Sequence, residues 1–213
     1  MQLVPLHSIA LTPNRGTTDG PRIVGVTGSI GGGKSTAASI LESHHDARVI
    51  DADAIAGEVL SRPETLAAIG ETFGDDVVAG GRLDRRKLAS IVFRDPALLK
   101  QLESIVHPKV RLSIEAAITQ SADRPLVVLD VPLLFEAGLA DRCDETWYVD
   151  APRARRIDRV AERGWTAEEL QRRESNQWPI ATKRAMADVI VDNGGDRAQL
   201  AALIRDALSH RLE

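Results

Sequence analysis

Residues 28–36 read Gly-Ser-Ile-Gly-Gly-Gly-Lys-Ser-Thr, directly after the apolar run Ile23-Val24-Gly25-Val26-Thr27 and directly before a stretch with apolar residues at Ala37, Ile40 and Leu41. An apolar strand, a glycine loop and an amphipathic helix in that order leave few folds open to the chain. Gly28, four residues, then Gly33-Lys34-Ser35 is the spacing of a phosphate-binding loop. Glycines permit the backbone angles that turn successive N–H groups inward as a nest for phosphate oxygens. The helix opening near Lys34 adds the positive end of its dipole. Lys34 is then placed to bridge β- and γ-phosphates, and the Ser35 hydroxyl to help hold Mg²⁺. Gly28, Gly31, Gly32, Gly33, Lys34, Ser35 and Thr36 are therefore the expected nucleotide-contacting residues. The dinucleotide pattern G-x-G-x-x-G fails because Thr36 occupies its last glycine, so the expected ligand is a nucleoside triphosphate and not NAD. A glycine-rich turn holding no ligand is the plainer alternative, and the strand and helix on either side argue against it.

Further apolar runs alternate with helical patterns, as in an α/β fold whose parallel sheet is covered on both faces. Val49-Ile50 opens into Asp51-Ala52-Asp53. Leu126–Val131 is the most apolar run and is expected at the sheet centre; Trp147-Tyr148-Val149 and Val189-Ile190-Val191 complete five strands, with a last helix from about Asp196. Between the second and third runs lie about 70 residues, where a plain crossover needs about 10–12. This gap reads as a helical insert. Asp84 is a plausible N-cap with Leu83 and Leu88 as a staple across it, and Asp95-Pro96 opens another helix with proline at its first position. Leu98, Leu102, Ile105 and Val106 form one stripe, and Pro108 predicts a bend at His107. Inserts of this kind on nucleotide folds commonly grip the second substrate.

A second insert follows the fourth run. Between 153 and 173 there are seven arginines (153, 155, 156, 159, 163, 172, 173) against four acids (158, 162, 168, 169), although the whole chain carries a formal charge of −4. The acidic balance speaks against a generic nucleic-acid binder, and 3% aromatic residues against a stacking platform for single strands. No stretch reaches the roughly 20 apolar residues of a membrane span. A single cysteine, Cys143, excludes an internal disulfide and a multi-cysteine zinc site, and reads as a small filler near the fourth strand. The expected setting is cytoplasmic. Residues 1–20, broken by Pro5, Pro13, Gly16 and Gly20, read as a flexible extension.

Three acids stand at strand ends. Asp51 and Asp53 follow the second run, where a small-molecule kinase needs a carboxylate near the transferred phosphoryl group to take the proton of an attacking hydroxyl. Either one is equally suited to cap the following helix. Asp130 ends the most apolar strand as a candidate Mg²⁺ acid acting through water, or as a turn residue. The guanine-reading Asn-Lys-x-Asp of GTP switches does not occur.

Together these segments resemble the dephospho-coenzyme A kinase family, from Arg22 onward. The similar parts are the glycine loop, Val49-Ile50-Asp51-Ala52-Asp53-Ala54-Ile55, Val106-His107-Pro108, Leu129-Asp130-Val131-Pro132-Leu133-Leu134-Phe135-Glu136, Arg173 with Gln177, and Ala187–Ile190 leading to Asn193-Gly194. The resemblance implies a P-loop NTPase fold with a five-stranded parallel sheet: a core (21–56, 121–152, 187–213), a helical coenzyme-binding insert (57–120) and a helical lid (153–186). It implies phosphorylation of the ribose 3′-hydroxyl of dephospho-coenzyme A by ATP with Mg²⁺, in a monomer or weak homo-oligomer. By position, Asp53 is then the general base with Asp51 beside it, and His107, Pro132 and Leu133 lie against the acceptor. Lys34, Arg159 and Arg163 would be catalytic, with Arg173 on the nucleotide phosphates. Ser29, Gly32 and Glu174 depart from the family pattern, which more often has glycine, a small residue such as serine or alanine, and an apolar residue there. Another small-molecule kinase of the same fold, or an ATP-binding regulator without catalysis, remains as an alternative.

Overall fold

The computed structural model describes residues 20–209, so the expected extension lies outside the described residues apart from Gly20. Two compact units arise, one of residues 51–120 and one of the remaining described residues, 20–50 and 121–209.

The second unit is built on a five-stranded sheet. β1 (Arg22–Gly28), β2 (Ala47–Asp51), β5 (Leu126–Asp130), β6 (Glu145–Asp150) and β7 (Val189–Asp192) lie in the order β2-β5-β1-β6-β7. β1 runs parallel to both β5 and β6, and β6 parallel to β7. The middle strand is therefore β1, not the more apolar β5. Gly25 lowers the apolar content of β1, since a Cβ there would sit 2.6 Å from Cys143 Sγ and 2.8 Å from Leu134 Cδ2. The central strand gives up side-chain bulk to admit its neighbours, which lowers its apolar score without lowering its burial.

Alternation along β1 sends Val24 and Val26 to one face, where they meet Ala37, Ala38, Ile40 and Leu41 of α1 (Lys34–His45) and Leu200 and Ile204 of α9 (Arg197–Ser209). Trp147 and Val149 of β6 join the same cluster and are fully buried. Cys143 is buried, its Sγ donating to the Leu139 carbonyl at 3.5 Å. Burial, with Asp144 adding to it, pushes its thiol up to about 12, as expected of an inert filler. After β6 come α6 (Arg153–Ala161), α7 (Ala167–Glu174) and α8 (Ile180–Met186).

The unit of residues 51–120 is helical: α2 (Ala52–Val59), α3 (Pro63–Phe73), α4 (Arg85–Val92) and α5 (Pro96–Thr119). Asp84 caps α4 by accepting from the Arg86 and Lys87 N–H groups, and Asp95 caps α5 by accepting from Ala97 N–H. The bend expected at Pro108 gives way to one helix that runs through it. Proline removes one backbone donor there and crowds the preceding turn. However, Leu102, Val106, Val110, Ile114 and Ile118 are buried at every fourth position on both sides of it, and that shared face holds the turn helical. A short hairpin of β3 (Val78–Ala79) and β4 (Arg82–Leu83) turns on Gly80 and Gly81, with φ of 57° and 72°. Both angles suit the two-residue hairpin turn that a Gly-Gly pair favours. No helix among the described residues is long and apolar enough to cross a membrane.

Candidate active site

The glycine loop joins β1 to α1. Gly28 has no room for a side chain, since a Cβ would lie 2.0 Å from the Val149 carbonyl oxygen on β6. Gly33, at φ 97°, is the left-handed cap of α1, and a Cβ on it would fall 2.0 Å from Asn193 Nδ2. The loop's carbonyls are held from one side. Arg159 of α6 donates to the Gly31 and Gly32 carbonyls at 3.2 Å each and to the Asn193 carbonyl at 2.9 Å, while Asn193 Nδ2 donates to the Gly32 carbonyl at 2.9 Å. In a trans peptide C=O and N–H point in opposite directions. Anchoring the Gly32 carbonyl on the Arg159–Asn193 side therefore turns the Gly33 N–H to the other side.

Lys34 and Thr36 are half-buried in the first turn of α1, and Ser35 is exposed there. Asp130 ends β5 in register with Val26, two residues before Gly28. The Thr27 hydroxyl donates to the Pro132 carbonyl at 3.0 Å, and Leu133 is buried.

The arginines of α6 and α7 divide into distinct environments. Arg156 is buried, its Nε donating to the Ala151 carbonyl and its guanidinium paired with Glu174. Arg153 reaches the same carboxylate at 3.3 Å. Glu174, the departure noted in the sequence, thus ties the end of α7 to the start of α6. Arg173 lies over the Trp165 ring at 4.0 Å and donates to Glu169 at 2.6 Å. Arg163 is exposed and enters no ion pair among the described residues. Lys183 and Glu136 form a buried pair at 3.3 Å, and Glu136 also accepts from the Trp178 N–H. Burial lowers the Lys183 pKa and the Glu136 carboxylate opposes that shift.

The remaining candidates belong to the helical unit. Asp51 caps α2, its Oδ1 accepting from the Ala54 N–H at 2.9 Å. Asp53 is exposed in the first turn of α2 and does not serve as that cap. The capping alternative is thus taken up by Asp51. His107 is half-buried on α5, one turn from the buried Arg111. Burial, and then the Arg111 charge, lower its pKa to about 4, so it is neutral at pH 7. Asp150 escaped the sequence reading, although it closes the fourth apolar run as Asp51 and Asp130 close theirs; it accepts the Ser29 hydroxyl at 2.6 Å.

A strand-loop-helix with these glycine positions, at the end of the central strand of a parallel α/β sheet, defines a P-loop kinase architecture. The sequence model of the dephospho-CoA kinase family matches residues 22–199. Proteins named dephospho-CoA kinase from Parasynechococcus marenigrum and Thermobifida fusca are 42% and 44% identical to it, over 88% and 86% of this chain and 96% and 92% of theirs. The solved structure of TT1252 from Thermus thermophilus superposes with a TM-score of 0.79 at 40% identity, covering 90% of this chain and 98% of that one. The dephospho-CoA kinase from Campylobacter jejuni, at 24% identity and a TM-score of 0.59, shares the fold. The chain belongs to the dephospho-CoA kinase family.

Proposed function

We propose that the protein transfers the γ-phosphoryl group of ATP to the ribose 3′-hydroxyl of dephospho-coenzyme A, giving coenzyme A and ADP. The observation that carries this reading is the glycine loop whose Gly31 and Gly32 carbonyls are anchored by Arg159 and Asn193, in a chain matched to the family over residues 22–199.

In this reading the loop amides and the N-terminus of α1 receive the phosphates, Lys34 neutralises charge on the β- and γ-oxygens, and Thr36 and Arg173 assist in nucleotide binding. Asp53 accepts the proton of the 3′-hydroxyl as its oxygen bonds to phosphorus and the bond to the β-phosphate oxygen breaks. Asp51, His107, Pro132 and Leu133 orient the acceptor. A neutral His107 suits that task, since it offers one donor and one acceptor rather than a charge. The residues present fit Mg²⁺: Ser35 and Asp130 are hard oxygen donors near the loop, and such an ion draws its other ligands from phosphate and water. When bound, it offsets charge on the phosphate oxygens.

Residues 57–120 serve as the coenzyme-binding insert and 153–186 as a lid whose closure excludes water, with Arg163 stabilising the transferred charge and Arg159, bound to the Gly31 and Gly32 carbonyls, holding the loop in shape instead. The reading assigns the reaction to the cytoplasm and needs no nucleic-acid partner. Mass spectrometry of a reaction with Mg-ATP and dephospho-coenzyme A beside adenosine, AMP and gluconate tests it. One phosphate gained by dephospho-coenzyme A alone supports it. Phosphate on another acceptor, or ADP formed with no acceptor modified, overturns it.

A further inference from the structure

The loop carries a departure at its second residue, and the structure gives that residue a partner. Ser29 is buried, and its hydroxyl donates to Asp150 Oδ1 at 2.6 Å. The same oxygen accepts the Ala151 N–H at 2.9 Å, and the other carboxylate oxygen pairs with the Arg184 guanidinium of α8. Asp150 is the last residue of β6, next to Val149, which is in register with Gly28. It therefore sits beside the loop's first turn with both its oxygens engaged. The second departure lies against the same turn: a Cβ on Gly32 would lie 2.6 Å from the Val149 carbonyl oxygen and 2.8 Å from Ser29 Oγ, so glycine keeps that space open. α8 is itself pinned, because Lys183, next to Arg184, enters the buried pair with Glu136.

We infer that Asp150 is a positioning residue for the phosphate loop, coupling the Ser29 hydroxyl to Arg184 so that α8 sets how well the loop receives a nucleotide. This rests on the reading of residues 28–36 as the ATP site. Hydrogen bonds to a charged partner are shorter and stronger than neutral ones. Losing either end releases the loop's first turn without removing any group assigned to phosphate or acceptor.

The test is steady-state kinetics on the full chain with Ser29→Ala, Arg184→Ala, the double variant and Arg184→Lys, together with thermal unfolding of each. Each alanine variant is expected to raise the KM for ATP about tenfold, the loss typical of one charged hydrogen bond. The kcat and the KM for dephospho-coenzyme A are expected to stay within about twofold, since no group assigned to the transition state is lost. The double variant is expected to be no worse than the poorer single one, because both ends act through one carboxylate. Arg184→Lys is expected to restore most of the affinity. An unchanged KM for ATP in a folded Ser29→Ala protein overturns the inference. So do single effects that multiply in the double variant, or a parallel loss of kcat and both KM values. Failure of the underlying reading shows separately, as full ATP affinity in Lys34→Ala whatever Ser29 does.

Discussion

The glycine loop and the arginine-rich helices α6 and α7 both concern phosphate charge in this account, yet they are made in opposite ways. In the loop the main chain does the work: Gly28 and Gly33 sit where a Cβ would collide at 2.0 Å, and anchored carbonyls decide where N–H groups point. In α6 and α7 side chains do it, and much of their charge is spent on one another, as in the Arg156–Glu174 pair and the fork of Glu169 with Arg172 and Arg173. Main-chain geometry tolerates almost no substitution. Exposed charge pairs such as Arg172–Glu169 tolerate many.

The largest expected effect is therefore in the loop. Gly33→Ala places a Cβ in a left-handed position and against Asn193, and should cost on the order of 10²–10³ in turnover with loss of ATP binding, comparable to removing a main charge-stabilising donor. Lys34→Ala should do the same by charge. Calorimetric ATP binding and initial rates check both, and wild-type affinity in either breaks the contrast at its strong end.

Next comes the buried pair behind α8. Lys183→Met leaves the buried Glu136 without its ion partner and should destabilise the fold by about 3 kcal/mol, read as a lower urea midpoint with an unchanged slope. Adding Glu136→Gln should recover part of that loss.

His107 sharpens the picture in the helical unit. Its pKa falls from 6.5 to about 4 on folding, so the unfolded chain binds the proton more readily. The neutral form's contribution is therefore complete above pH 6.5 and drains away as pH drops toward 4, by on the order of 2 kcal/mol. His107→Gln should flatten that part of the stability–pH curve, measured by urea unfolding between pH 7 and 4. The smallest effect belongs to Arg172, exposed and paired within its own helix: Arg172→Ala should leave both Tm and turnover at wild-type values.

The same contrast governs what could be read from the residues. The loop, its flanking strand and helix, the five strands and the caps Asp84 and Asp95 were legible because each rests on local backbone requirements. Non-local competition was not. Leu126–Val131 exceeds β1 in apolar content, yet β1 holds the centre, where Gly25 leaves room for Cys143 and Leu134. Pro108 read as a break because its local cost is plain, whereas the buried face from Leu102 to Ile118 that offsets it forms only in the folded unit. The Gly80-Gly81 turn does carry a signal, a glycine pair following Val77-Val78-Ala79, but strands of two residues are too short to show alternation. At the site, spacing located Asp51 and Asp53 but could not divide their roles; the hydrogen bond from Ala54 gives the cap to Asp51. The partners of Ser29 and Glu174 lie 121 and 18 to 21 residues away, beyond any local pattern.

The central claim is a division of labour: the loop holds ATP, and Asp53 activates the hydroxyl it phosphorylates. Asp53→Asn, assayed for turnover with dephospho-coenzyme A and for equilibrium ATP binding, tests it directly. The account predicts a fall in kcat of about 10²–10⁴ with ATP affinity within about twofold of wild type. Wild-type turnover, or an ATP affinity that falls in step with kcat, would contradict it.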